Sequence, residues 1–313
     1  MNPLSAVFQV GVALRNSLYD RQVLKSHRLA CPVVSIGNIS TGGSGKTPFV
    51  IMLGRMLQER GIEFDVLSRG YGRKSKNIIV VDPEGSPEHF GDEPLLIARK
   101  LKAPVVVGAD RYQAGLLAEK QFPGAKLHLL DDGFQHRRLH RNFDIVLLPA
   151  EDMKDTLLPV GRLREPLSSL GRADVVVLSP DAPLPGAARQ AWRLRRSIHF
   201  LVPMARVIAF CGIARPELFF SGLRKLGMDL PDTVSFPDHH LYRQADIDRL
   251  LRAKSRTHAQ GFITTEKDAM NLGPLAGQLR TLEAATLELE LEAAPQALNS
   301  LLTTLEQRCG CRF

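Results

Sequence analysis

Residues 33–47 read VVSIGNISTGGSGKT, and they limit the possible folds of this chain more than any other stretch. An apolar run suited to one buried strand enters a glycine-rich turn, and a Lys-Thr pair opens a helical pattern. Strand, loop and helix in this order make a phosphate-binding loop. Gly42, Gly43 and Gly45 let backbone N–H groups around Ser44 curl about phosphate oxygens with no Cβ in the way. Lys46 can reach the β- and γ-phosphates of a nucleotide, and the Thr47 hydroxyl can hold Mg²⁺. The helix that follows turns its positive end toward the anion, and Pro48 is cheap in its first turn, where the missing N–H has no partner to lose. One departure stands out. The pattern G-x-x-x-x-G-K-[ST] asks for glycine at position 40, and this chain has Ser40.

Such a loop needs acidic help at the end of another core strand. Residues 126–133 (KLHLLDDG) supply Asp131 and Asp132 as Mg²⁺ candidates, although Asp-Asp-Gly is also ordinary turn chemistry. Further short apolar runs lie at 64–67, 78–81, 105–107, 143–148 and 174–178, with helical patterns such as 48–60 and 93–100 between them. Alternation of this kind predicts a doubly wound, mostly parallel α/β sheet with helices on both faces. Composition shifts near residues 180–196, where prolines precede a basic segment, 187–196, that reads as helix. A second, smaller α/β domain is expected after it, built on runs at 207–210 and 262–264. Residues 286–292 (TLELELE) alternate as a half-exposed strand, and pairing with 198–202 would make a two-stranded β link between the domains. The expected division is 1–30, 31–192 and 193–313.

Other clusters are ambiguous on pattern alone. Asp92 and Glu93 in FGDEP open a helix, where acidic residues also serve as caps. SRGYGR (68–73) places arginines at a strand end suited to an anion, or forms an exposed turn. Glu165 in RLREP sits in what reads as a solvated loop. Asp238-His239-His240 is weak evidence for a metal and fits an oriented histidine equally well. The four cysteines, Cys31, Cys211, Cys309 and Cys311, have spacings that frame neither a disulfide scaffold nor a zinc site.

Length and charge set the remaining bounds. At 313 residues the chain can bury a sizeable core. A net charge of +8 suits an acidic partner, but 6% aromatics offer little for a stacking platform, so nucleic acid is not expected. No protein partner is evident. The first thirty residues lack the marks of a secretory signal. On a helix, Leu4, Val7, Phe8, Leu14 and Leu18 fall near one face, and Arg15, Arg21, Lys25 and Arg28 cluster at its end. Such a helix can lie in a membrane interface or dock on its own core.

Together the stretches VVSIGNISTGGSGKTP, LSRGYGRK, GDEP, DDGFQHRRL, GRLREP, FCGIARPELFF, DHH and TTEKDAM resemble, in order, the tetraacyldisaccharide 4′-kinases (lipid A 4′-kinases) of Gram-negative bacteria. The resemblance implies transfer of the ATP γ-phosphate, with Mg²⁺, to the 4′-hydroxyl of tetraacyldisaccharide 1-phosphate, giving lipid IVA. It implies a glycolipid substrate and a peripheral place on the cytoplasmic face of the inner membrane, anchored through the first helix. Carried over, Lys46 and Thr47 are the loop lysine and Mg²⁺ hydroxyl, Asp131 and Asp132 the acidic strand end, Asp92 the catalytic base, His239 its partner, and Glu165 an acidic residue near the nucleotide. A P-loop GTPase would want N-K-x-D after a late strand. A non-enzymatic anion-binding module would have no use for Asp92, Asp131, Asp132 and His239 together.

Overall fold

The computed structural model describes residues 3–201 and 205–313. The chain opens with α1 (Pro3–Asp20), β1 (Val33–Asn38) and α2 (Lys46–Glu59). Next come β2 (Phe64–Ser68), β3 (Ile79–Val80), α3 (Pro87–Phe90), α4 (Asp92–Leu101), β4 (Val105–Val107) and α5 (Arg111–Gln121). The strands β5 (Leu127–Asp131), β6 (Phe143–Leu147), β7 (Val175–Leu178), β8 (Ala191–His199) and β9 (Arg206–Cys211) lead to α6 (Pro216–Lys225). Then β10 (Asp229–Ser235), α7 (Gln244–Thr257), β11 (Gly261–Thr265), α8 (Glu266–Leu272), β12 (Leu282–Leu291) and α9 (Ala294–Cys309) complete the order.

The strands run β10-β9-β11-β12-β8-β7-β6-β1-β5-β2-β4-β3. Neighbours are parallel except β3 with β4 and β8 with β12. This is the mostly parallel α/β sheet that the alternation predicts. Its central strands are buried on both faces, as β1, β2, β5, β6 and β7 show along their whole lengths.

The basic segment expected as helix is instead β8. Trp192 and Leu194 are buried while Arg193 and Arg195 are less so, and that two-residue alternation outweighs the helix preference of arginine and alanine. β8 is shared. Its first residues pair parallel with β7 (Val176 with Ala191, Leu178 with Arg193), and the rest pair antiparallel with β12 (Leu194 with Leu291, His199 with Thr286). The link is therefore real, but its register starts at Leu194 and not at Ile198, and Val202 lies outside the described residues. The expected boundary after residue 192 falls inside this strand.

Among the described residues the smaller lobe holds four strands, β9 to β12, with their own aromatic core. Phe210, Phe236, Tyr242 and Phe262 pack there, Phe210 meeting Phe262 edge-on. α9 does not stay with that lobe. Ala297, Leu298, Leu301 and Leu305 join the core formed by β1, α2 and α4. Among the described residues no helix is long and apolar enough to cross a membrane.

Candidate active site

In an open parallel sheet the crevice lies beyond the carboxyl ends of the strands. Here both lobes turn those ends to one cavity of about 1040 Å³. From the larger lobe come the loop after β1, Arg69 and Tyr71 after β2, and Asp131 and Asp132 at the end of β5. From the smaller lobe come Ala214 and Arg215 after β9, Asp238 and His239 after β10, and Lys267 at the start of α8.

The phosphate loop has the backbone its glycines allow. Gly42, Gly43 and Gly45 all take positive φ, at 58°, 67° and 85°. A Cβ on Gly42 would stand 2.4 Å from the Ala214 Cβ, and one on Gly43 would stand 2.8 Å from Arg215 Cγ. The smaller lobe thus presses on the loop. Arg196 donates to the Ser44 carbonyl at 2.7 Å, and Arg162 donates to the Thr41 carbonyl at 3.1 Å. Ser40 explains its own departure from pattern: its hydroxyl donates to Asp152 at 2.5 Å, and Asp152 also pairs with Arg215. A glycine there could not tie the loop base to that ion pair.

β5 pairs with β1 and sets Asp131 beside Ile36, so the acidic pair ends the strand next to the phosphate loop. The two carboxylates then diverge. Asp132, in a left-handed backbone (φ 50°), meets Lys46 at 3.4 Å and Arg164 at 2.9 Å. Burial pushes it up, but the Lys46 and Arg164 cations outweigh that and hold it below the usual carboxylate range. Among the described residues Asp131 accepts only from the Ser68 hydroxyl, at 3.0 Å, and its Oδ1 is buried without a partner. Burial, then the charges of Glu93 and Asp132, push it up to about 7. An orphaned buried carboxylate oxygen beside a phosphate loop and the buried Thr47 hydroxyl is a donor set that fits a hard divalent cation.

Across the cavity, Asp92 and His239 meet. Asp92 opens α4, and His239 Nδ1 lies 2.9 Å from its Oδ2 and 3.1 Å from its Oδ1. Lys267 stands 3.3 Å from Asp92 and 3.1 Å from Asp238. Burial alone would raise the Asp92 carboxyl, but the His239 hydrogen bond, the Lys267 charge and the Glu93 N–H hold it at about 2. His239 in turn is raised above its ordinary value. Burial opposes its charge, and the Asp92 bond and charge prevail. Its φ of 60° is strained for a non-glycine residue, at roughly 1–3 kcal/mol. The strain is held by neighbours: the His239 N–H bonds the Gly212 carbonyl, whose own N–H bonds buried Asp268. The Tyr71 ring covers the imidazole at 4.9 Å.

Not every expected residue reaches the cavity. Glu165 is buried and committed elsewhere, accepting from Arg172 at 2.5 Å, Asn16 at 2.9 Å and Gln135 at 3.0 Å. It fastens α1 to the larger lobe. Its neighbour Arg164 is the one that lines the cavity. Sequence reasoning passed over Arg164, Lys267, Arg196 and Arg215 as functional residues. Lys267 carried a signal, a lysine inside TTEKDAM, but nothing linear joins it to Asp92, 175 positions earlier in the numbering.

The chain matches the family model LpxK, tetraacyldisaccharide-1-P 4′-kinase, over residues 1–307. It is 50% identical over 323 aligned positions to the tetraacyldisaccharide 4′-kinase of Koribacter versatilis, covering 99% of this chain and 100% of that one. The Syntrophus aciditrophicus enzyme of the same name is 37% identical, with 93% and 88% covered. The crystal structure of the "apo" form of LpxK from Aquifex aeolicus in complex with ATP is also similar, with a TM-score of 0.78 and 34% identity over 97% of this chain and 98% of that one. Guanine-specific and non-enzymatic readings have no support beside these. The chain belongs to the tetraacyldisaccharide-1-P 4′-kinase family and is a kinase of lipid A biosynthesis.

Proposed function

We propose that the cavity carries out the family's reaction with a division of labour between its two lobes. ATP places its phosphates in the loop of residues 41–47, where Lys46 and the backbone N–H groups bind the β- and γ-oxygens. Tetraacyldisaccharide 1-phosphate presents its 4′-hydroxyl to Asp92. The sugar oxygen forms a bond to the γ-phosphorus, the bond from that phosphorus to the β-bridging oxygen breaks, ADP leaves, and the hydroxyl proton passes to the Asp92 carboxylate. His239 orients that carboxylate from the opposite lobe, and Lys267 keeps it ionised. The carrying observation is the Asp92–His239 contact at 2.9 Å, made by a histidine that lines the same cavity as the phosphate loop. Transfer of labelled phosphate from ATP to purified tetraacyldisaccharide 1-phosphate tests it, and ATP hydrolysis without transfer would count against it.

Thr47, Asp131 and Asp132 are the residues that would hold Mg²⁺, which when bound neutralises phosphate charge. With Asp131 pushed up to about 7, protons compete with the cation below that pH. The Mg²⁺ concentration giving half the maximal rate is therefore expected to fall, up to about tenfold per unit, as pH rises from 5 to 7 and to level off above. Asp131→Asn should need more Mg²⁺ and lose this dependence. Magnesium titrations at four pH values check both.

α1 both docks on the larger lobe and offers an apolar face. Arg15 bonds the Gln135 carbonyl at 2.8 Å and Asn16 bonds Glu165, while Val7, Val10 and Leu14 remain largely exposed. We assign that face to the bilayer interface, which holds the enzyme as a peripheral protein on the inner-membrane surface where its glycolipid resides. Two valines buried in lipid are worth about 3 kcal/mol or more. Val7→Glu with Val10→Glu should thus lower partition onto anionic vesicles by roughly 100-fold while leaving ATP affinity alone. Unchanged vesicle sedimentation would refute the assignment.

A further inference from the structure

At the opposite end of β5 from Asp131 lies a second polar cluster that the reaction does not use. His128 is fully buried on β5, three residues from Asp131 and so about 10 Å away along the strand. Its Nδ1 is held at 2.7 Å by Asp65 of β2, itself fully buried. Its Nε2 points to Glu119 of α5 at 3.4 Å. Cys31, just before β1, completes the group: one atom each from Cys31, Glu119 and His128 lie within 4.8 Å of one another.

We propose that Cys31, Glu119 and His128 form a structural site for a thiophilic divalent cation, zinc above all, with Asp65 orienting the histidine. Four observations on the geometry carry this. The donor set of thiolate, imidazole and carboxylate is that of zinc. Two such ligands at tetrahedral angles, about 2.0–2.2 Å from the metal, stand about 3.3–3.5 Å apart, and His128 Nε2 and Glu119 Oε1 stand 3.4 Å apart, long for a hydrogen bond. A carboxylate on the far ring nitrogen is the usual support of a zinc-bound histidine, and Asp65 occupies that place. Cys31 and Glu119 are half-buried, which gives a route from solvent.

Only the thiolate and the neutral imidazole can ligate, so binding a divalent cation releases the thiol proton and any second proton on the ring. The ligands come from three separate elements, so no spacing motif announces them. Cys309 and Cys311 lie outside the ligand set.

The test uses the full chain, stripped with chelator and kept in excess Mg²⁺ and ATP so that the phosphate site is occupied. Zn²⁺ is titrated by calorimetry in two buffers of different ionisation enthalpy, and Co²⁺ is used as an optical probe. The expected result is one Zn²⁺ per chain, release of at least one proton, and a thiolate-to-cobalt charge-transfer band. Cys31→Ser should abolish the band and weaken binding by 100-fold or more. Asp65→Asn, which keeps all three ligands, should weaken it by about 10–100-fold. Cys309→Ser with Cys311→Ser should leave both unchanged. Equal affinity in wild type and Cys31→Ser, absence of the cobalt band in a folded wild type, or loss of binding in the Cys309/Cys311 double variant would overturn the site.

Discussion

Asp92→Asn is expected to lower single-turnover phosphoryl transfer by about 10²–10⁴, the range for losing a positioned general base, with nucleotide affinity nearly intact. A sugar hydroxyl is a poor nucleophile, and its proton needs an acceptor as the new bond forms. Of the three aspartates singled out by the sequence, Asp132 is neutralised by Lys46 and Arg164 and Asp131 is pushed toward its protonated form. Asp92 is buried yet held at about 2, so it is ionised at any physiological pH. His239→Ala should produce a loss of similar order, because the bare carboxylate keeps its charge but not its orientation. The double variant should be little worse than the poorer single, since the two act as one unit. Additive losses, or an Asp92 effect confined to nucleotide binding, would exclude the pair as base and orienter.

Lys46→Ala should reduce transfer by about 10²–10³, the usual scale for deleting one electrostatic donor at a developing charge. This residue has a second duty that the loop pattern alone does not disclose. It is the nearest cation to Asp132 after Arg164, and its charge also offsets those of Asp131 and Glu93. Alanine therefore leaves a crowded acidic wall facing the triphosphate, and ATP affinity should fall along with the rate. Lys46→Arg keeps the charge and should recover binding better than turnover. Rates and nucleotide affinities for the three proteins decide between this account and a lysine that serves only the transition state, in which case affinity would not move.

Much of the site could be read from the chain because its parts are local. The strand, loop and helix of residues 33–59 announce themselves by periodicity and glycine. Asp131 and Asp132 follow a largely apolar run that fits a buried strand. The pairing of His239 with Asp92 was implied by the resemblance and not by any local pattern, since Asp238-His239-His240 fits several roles on its own. What escaped depends on partners distant in sequence. Lys267 gains its role from Asp92 and Asp238, and Arg215 from Asp152. The resemblance implied a place near the nucleotide for Glu165, but in the fold Arg172, Asn16 and Gln135 hold its carboxylate. Residues 187–196 misled because arginine and alanine favour helices when neighbours do not decide, and here β7 and β12 decide. The return of α9 to the first core follows from its packing over β6 and β12, which no local pattern encodes.

The contact between Gly42 and Ala214 also bears on how such a chain can drift. A single methyl at position 42 would overlap the Ala214 Cβ, at 2.4 Å, besides being strained by a φ of 58°. Exchange of Ala214 for glycine removes the first obstacle but leaves the second, about 1–2 kcal/mol for an L-residue in that conformation. A larger residue at 214 meets the loop backbone with no side chain there to swing aside. Position 214 therefore cannot vary on its own: its permitted size is set by a glycine 172 residues away, and the two sites must wander through sequence space together or stay as they are.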